Sequence, residues 1–370
     1  MARHERYMGV GIAIAAWAGI AGAQQVVPLP AIGGSESLAW GINEARQIVG
    51  ESLLAGDTQA HATIWESESP RDLTSASGGG YSVAYAINNR GDAAGLTTLG
   101  SGLNTATLWG GGGAPTDLGA LMGAVGDSLA WAINDQGVVA GQAQLGPGFS
   151  KGYVYDSAGG RVVNLSGYMG GANRGINNDG VVVGSSFFFG DPDDAHIGTP
   201  DGRGGYNVEQ IGPQGFSFEI ASDINNNGTI VGWTNNGSGP WQACVFTPGE
   251  RDSFMTLGSL PDFETSEAYA INDLGDIVGS TLDDDFLLDS HAWVWHAGEM
   301  YDLNDFLRPG QTEWQVLLSA TGINNRGDIV GYGVNADGFL QGFVIYGAVP
   351  APGGLAAMAM GMVCVTRRRR

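Results

Sequence analysis

The residues most able to do chemistry in this 370-residue chain are a few histidines, several short acidic runs and a spaced set of aromatics. His61 and His291 head two related phrases, His61-Ala62-Thr63-Ile64-Trp65 and His291-Ala292-Trp293-Val294-Trp295, and His196 stands close to the same place in a third. Histidines brought together from separate segments bind metals or act as general bases. Equivalent phrases place Thr105, Lys151, Gln242 and Gln341 there instead, so no ligand set recurs and the spacing predicts a structural or surface role. Asp191-Pro192-Asp193-Asp194 and Asp283-Asp284-Asp285 are runs of hard oxygen donors. Such runs suit loosely held Ca2+ or, converging on a cleft, the paired acids of a glycosidase. Trp40, Tyr85, Trp131 and Tyr269 each follow a small residue within one recurring phrase, a spacing that predicts packing between repeats, with a sugar-stacking surface as the alternative.

Other motifs carry less. Asp223-Ile224-Asn225-Asn226-Asn227-Gly228 resembles the calcium loops of integrin-type propellers, but most of its side chains are neutral amides and the bidentate acid is missing. Arg90-Gly91-Asp92 and Arg326-Gly327-Asp328 spell an adhesion tripeptide, yet both sit in a repeated turn where Gly is expected anyway. No Ser-His-Asp phrase, nucleotide loop or paired-acid motif stands out. The sequence therefore nominates no catalytic residue and no cofactor-binding residue, and leaves the metal question open apart from Ca2+.

The elements that must position these residues are repeats. A phrase of the form small–x–small–Ile–Asn, a polar turn, then a short apolar pair and Gly occurs seven times, with Ile-Asn steps beginning at 42, 87, 133, 176, 224, 271 and 323. Most units add a His-Ala-x-x-Trp-like phrase and an Asp-Leu-like phrase such as Arg71-Asp72-Leu73 or Tyr301-Asp302-Leu303. Each phrase is short, β-branched or aromatic, and bounded by Gly, Pro, Asn or Asp, as strands are. Asn88-Asn89-Arg90-Gly91 and Asn272-Asp273-Leu274-Gly275 have hairpin-turn composition. Four strands in about 46 residues is the pattern of a β-propeller blade.

The chain is thus expected to be all-β, a seven-bladed β-propeller of four-stranded blades. The strands run Ile-Asn, Val-Gly, His-Ala, Asp-Leu within each blade, and crossings such as Asn304 to Ser319 join one blade to the next. The seventh unit ends at Gly342-Phe343-Val344-Ile345 without an Asp-Leu strand, while Val26-Val27-Pro28-Leu29 precedes the first Ile-Asn phrase. The first strand is therefore expected to complete the last blade, leaving no open half-blade, with Pro28 tolerated on an outer strand. A linear β-solenoid, the rival arrangement, predicts no such complementary ends.

These phrases resemble the HAF repeat family of bacterial extracellular repeat proteins over roughly residues 26–346. The family triplet matches His61-Ala62-Thr63 and, in part, His291-Ala292-Trp293. Blade four departs most, since Asp194-Ala195-His196-Ile197-Gly198 lacks the closing aromatic, and blade one has Glu44-Ala45-Arg46 where the turn Gly belongs. The resemblance implies export and repetition and assigns no activity.

Both ends read as addresses. Arg3 and Arg6, the apolar run Met8 to Ile20, and Ala21-Gly22-Ala23 have the order of a secretory signal over 1–23, cut after Ala23 with Ala21 at the other small position. The body then spans 24–348. In the tail, 349–370, Val349-Pro350-Ala351-Pro352 precedes the apolar stretch Gly353 to Val365 and then Arg367, Arg368, Arg369 and Arg370. The apolar stretch is shorter than the ~20 residues of a stable membrane span, and the arginines are expected to stay cytoplasmic. This order resembles the PEP-CTERM sorting signal of Gram-negative bacteria, with Ala351 where that signal carries Glu. The resemblance implies an exosortase-like sorting protease as partner, transient membrane contact through the tail and delivery to the cell surface.

Charge narrows the partners. The chain has 16 Lys+Arg against 38 Asp+Glu, a net −22. Without the two terminal segments the body is more acidic still, and it repels nucleic acid and anionic lipid, both of which need Lys and Arg to neutralise phosphate. The two cysteines, Cys244 and Cys364, have no zinc spacing. The expectation is an exported cell-surface or matrix protein that binds extracellular polysaccharide or a matrix protein and is not an enzyme. The alternative is a secreted propeller lyase or glycosidase using Asp193, Asp194, Asp284 and Asp285.

Overall fold

The computed structural model describes residues 25–349 apart from 75–79, 111–113, 149, 166–170, 189–190, 213–217, 236–238, 250–252, 283–289 and 308–312. The signal segment with Ala21 and Ala23 lies outside the described residues. So do Pro350, Pro352 and Arg367 to Arg370 of the tail, the acidic run Asp283–Asp285, and the side chains of Asp191 and Asp193.

Alternating apolar residues flanked by Asn-Gly turns pair locally, and the described strands form seven four-stranded antiparallel sheets. In blade one the strands are Gly33–Ile42, Ile48–Leu54, Ala60–Glu66 and Ser69–Asp72, in that order from inside to outside. The same order holds in the other blades, as the repeat phrases predicted. The inner strands of blades two to seven are Ser82–Ile87, Ser128–Ile133, Ala172–Ile176, Glu219–Ile224, Glu267–Ile271 and Trp314–Ile323. Each inner strand contacts the next, and the seventh contacts the first, so the sheets form a closed ring, a seven-bladed β-propeller.

Closure uses the N-terminal strand, as the sequence predicted. Val26–Leu29 pairs antiparallel with Leu340–Ile345, matching Val26 with Ile345 and Leu29 with Gly342, so blade seven has the order first strand, last strand, Ile329–Asn335, Trp314–Ile323. Pro28 sits on the outermost strand, where its missing N–H costs no ladder bond. Apolar side chains then seal blade seven against blade one: Leu29, Val330 and Val344 pack with Ile48 and the fully buried Trp65. Each such side chain contributes about 1.5–3 kcal/mol on burial. The Trp65 indole N–H donates to the Pro30 carbonyl at 2.8 Å.

A polar latch crosses the same seam. Arg46 occupies the turn position that Gly holds in the other blades, at φ 63°. Its guanidinium makes a two-pronged bond to Asp328 of blade seven, at 2.8 and 3.0 Å, and lies 4.6 Å over the Tyr346 ring. Asp328 is fully buried and also accepts from Asn324 and Gly347, and Asp92 bonds to its own Arg90. Both adhesion-like tripeptides are thus turn chemistry.

One expectation needs correction. The crossing drawn from Asn304 to Ser319 is shorter, because Leu303–Phe306 forms a 3-10 turn and Trp314 to Ser319 already belong to the inner strand of blade seven. Bulges in that strand hid its alternation. His196 stands close to the His61 position, as the phrase Asp194-Ala195-His196-Ile197-Gly198 implied: the register pairs Gly184 with His196 as it pairs Gly50 with Thr63, so His196 lies two residues further along. In blade four the missing aromatic is replaced from the outer strand, where the Tyr206 ring lies over Gly198 and its hydroxyl donates to the Gly180 carbonyl at 3.0 Å.

Candidate functional site

The inner strands surround a channel along the ring axis. Following any one of them, the channel meets a wide chamber, a waist and then a narrow polar mouth. The mouth is built by the Ile-Asn turns. Each Asn accepts, through Oδ1, the backbone N–H groups two and four residues ahead, closing its own hairpin; Asn134 does so from Gln136 and Val138 at 3.1 and 2.9 Å. Each Nδ2 donates to the backbone carbonyl of the next blade's Asn. The chain of bonds runs Asn43 to Asn88, Asn134, Asn177, Asn225, Asn272, Asn324 and back to Asn43, at 2.9–3.3 Å.

A second closed ring lies one residue on. Glu44, Asn89, Asp135, Asn178, Asn226, Asp273 and Asn325 each donate a backbone N–H to the side-chain oxygen of the next blade's residue, at 2.7–3.0 Å. Asp135 is desolvated there, but N–H donors from Asn89 and Asn178, together with Arg90, hold its carboxyl below the ordinary range. In the Asp223–Gly228 turn suspected of calcium binding, the side-chain oxygens of Asp223, Asn225 and Asn226 likewise accept backbone N–H groups. Among the described residues no three or more His, Cys, Asp or Glu side chains gather as a metal set.

The chamber is built by a β-bulge. Every inner strand slips register by one residue at the same place, between Ala39 and Gly41 in blade one and between Ala320 and Gly322 in blade seven. The extra residue has no partner in the ladder and turns into the channel. Those residues are Trp40, Tyr85, Trp131, Arg174, Ser222, Tyr269 and Thr321, all half-buried in the chamber wall. The Gly of each Val-Gly phrase is what permits the bulge. A Cβ at Gly50 would lie 1.9 Å from the Leu38 carbonyl oxygen, and the equivalent glycines of the other six blades meet a carbonyl at 1.8–2.0 Å. Only the absence of a side chain lets the bulged strand approach.

The four aromatics of the Ile-Asn phrase therefore line the channel, touching neighbours across blades there, and are not core buried between the sheets as the alternation suggested. Three of them form a continuous arc with Tyr332: Tyr332 to Trp40 at 5.8 Å, Trp40 to Tyr85 at 5.9 Å and Tyr85 to Trp131 at 4.6 Å between ring centroids. Arg174 follows, 5.5 Å from the Trp131 ring. Across the chamber Trp233 and Tyr269 meet edge-on at 5.8 Å. The chamber encloses about 610 Å3, within the range of about 300–1,000 Å3 that holds a small ligand.

Its carboxyls come from unexpected blades. Glu51 and Asp223 line the chamber, from blades one and five, whereas Asp194 lies on the third strand of blade four, away from it. Asp223 occupies a waist position that is Gly or Ala in the other six blades. Burial pushes its carboxyl up to about 7, against backbone N–H donors Ile271 and Ile224. Burial also raises Glu51, opposed by the Tyr81 hydroxyl that donates to it. Burial, then the Glu51 charge, pushes Tyr85 up to about 12. Trp131 Nε1 and Ser222 Oγ are buried in the wall without a hydrogen-bond partner among the described residues, each a cost of about 1–3 kcal/mol.

The histidines lie outside the channel. His61 and His291 bond through Nδ1 to the outer-strand acids Asp72 and Asp302, at 2.9 and 2.6 Å, and Thr105 bonds Asp117 in the same way. Each of these bonds ties the third strand of a blade, or the residue just before it, to the outer strand. His196, fully buried beside Asn173, is held neutral by burial, which lowers it to about 4.

No family model and no curated protein matches the chain. Among solved structures it is similar to TolB from Acinetobacter baumannii, at 11% identity over 77% of this chain and 76% of that one, with a TM-score of 0.43. It is also similar to a puromycin-hydrolyzing peptidase from Mycobacterium tuberculosis, at 12% over 88% and 54% with a TM-score of 0.49. A puromycin hydrolase gives 13% over 86% and 51%, with a TM-score of 0.51. The chain spans about half the length of these two hydrolases. At such identities the likeness is of fold alone.

Proposed function

We propose that this chain is an exported, non-catalytic binding propeller that works at the cell surface or in the extracellular matrix and takes its ligand in the aromatic chamber of the channel. One observation carries the reading. The bulge points one side chain per blade into a single chamber, and those side chains differ from blade to blade while the frame that holds them does not. Repetition alone accounts for the frame, not for Trp, Tyr and Arg on it. The HAF-like phrases, the signal-like segment 1–23 and the PEP-CTERM-like tail 349–370 support export, with extracellular polysaccharide or a matrix protein as partner.

The test is retention of native matrix material by the exported protein, compared with Trp40→Ala and Tyr85→Ala. Loss of retention in both variants supports the chamber as the site; undiminished retention in both moves the site elsewhere. Cell fractionation with and without the tail tests delivery to the surface. A second reading, a polysaccharide-cleaving enzyme, is favoured by Glu51 and Asp223, whose raised carboxyls line the chamber and suit a general acid. Release of reducing or unsaturated ends that Asp223→Asn abolishes would establish it.

A further inference from the structure

Resting on the chamber as the ligand site, we infer that it takes a neutral glycan segment of one or two sugar rings, stacked on the Tyr85–Trp131 pair and hydrogen-bonded by the polar arc beginning at Arg174 and Ser222. The wall has two kinds of surface, arranged in order around the ring. From blade seven through blade three it is aromatic, with centroid separations of 5.8, 5.9 and 4.6 Å. From blade four into blade five it is polar, with Arg174, Ser222 and the Asp223 carboxyl. A sugar ring has the matching pair of surfaces. Its axial C–H face packs on an aromatic ring, and its equatorial hydroxyls need donors and acceptors around the edge.

The charges choose neutral over acidic sugars. Arg174 is the only cation in the chamber wall among the described residues. Trp131 already lies beneath it, and the Glu267 carboxylate acts on it. A uronate arriving there would also meet Glu51 and Asp223, in a protein of net charge −22. Hydroxyls face no such opposition. They also offer partners to Trp131 Nε1 and Ser222 Oγ, which have none among the described residues. An aliphatic or purely aromatic ligand would leave both unpaired and Arg174 and Asp223 desolvated.

The exported protein is titrated by calorimetry and tryptophan fluorescence with tetrasaccharides of β-1,4-glucose, β-1,3-glucose, β-1,4-xylose and N-acetylglucosamine, and with oligogalacturonate as the acidic arm. The expected result is binding of at least one neutral series, weakened at least tenfold in Trp131→Ala, restored largely by Trp131→Phe, and weakened in Ser222→Ala. Unchanged melting temperatures separate lost binding from lost folding. Binding of oligogalacturonate alone overturns the neutral class. So does the absence of any oligosaccharide binding while matrix retention still depends on Trp40 and Tyr85, a result that leaves the chamber standing as the site. Oligosaccharide binding indifferent to Trp131→Ala and Tyr85→Ala overturns the glycan class and the chamber together.

Discussion

The channel's mouth and its chamber are made by the same seven strands a few residues apart, yet they are opposite in character. At the mouth, Asn or its acidic relatives recur blade after blade, and their oxygens and N–H groups are committed to neighbouring blades in two closed rings. In the chamber the backbone repeats as strictly, but the side chains are Trp, Tyr, Trp, Arg, Ser, Tyr and Thr. The mouth's polar groups are used up in holding the ring shut. In the chamber, Trp131 Nε1 and Ser222 Oγ have no hydrogen-bond partner among the described residues. There the frame is kept while the side chain is free to vary.

Variants can break that contrast, and the largest effect belongs to the frame itself. Gly95→Ala puts a Cβ 1.9 Å from the Val83 carbonyl oxygen; the bulge has to reorganise, at a cost of about 3 kcal/mol or more, seen as a large fall in denaturant midpoint. Asp328→Ala comes next. It removes the acceptor of Arg46, Asn324 and Gly347 at the seam, and a loss of about 2–3 kcal/mol is expected, less than for a fully buried pair because Arg46 can rehydrate. Asn134→Ala cuts one link of the mouth ring and two bonds of its own hairpin, for about 2 kcal/mol. Trp131→Ala should cost only about 1 kcal/mol, from its stack with Tyr85. A mouth variant that loses ligand without losing stability, or a chamber variant that unfolds, would erase the distinction.

The remaining variant is read as a slope with pH. Asp223 is held near about 7 in the fold, against ~3.9 unfolded. Between those values the native state binds the extra proton, so stability falls as pH rises from about 4 to about 7. Asp223→Asn should flatten that part of the decline, measured as the difference between the two proteins' denaturant midpoints from pH 4 to pH 8.

Much of the frame could be read from residue spacing. The seven Ile-Asn phrases predicted the blades, and Val26-Val27-Pro28-Leu29 predicted the closing strand because the seventh unit lacked one. The channel residues were misread because a bulge breaks the alternation on which facing is inferred; Trp40, Tyr85, Trp131 and Tyr269 look like core until one extra residue turns them inward. A usable sign was present in the Gly that recurs in every Val-Gly phrase, in the middle of a strand where Gly otherwise weakens pairing. The mouth rings were hidden for a different reason. Asn134 and Asn177 are bonded across 43 residues, and nothing local to either shows more than a turn.

The strand that finishes blade seven is the first to be synthesised and its partner is among the last. Val26 cannot find Ile345 until almost the entire polypeptide has emerged, and joining ends so far apart is slow. Six blades can therefore assemble while the leading strand waits unpaired, and closure of the ring comes last.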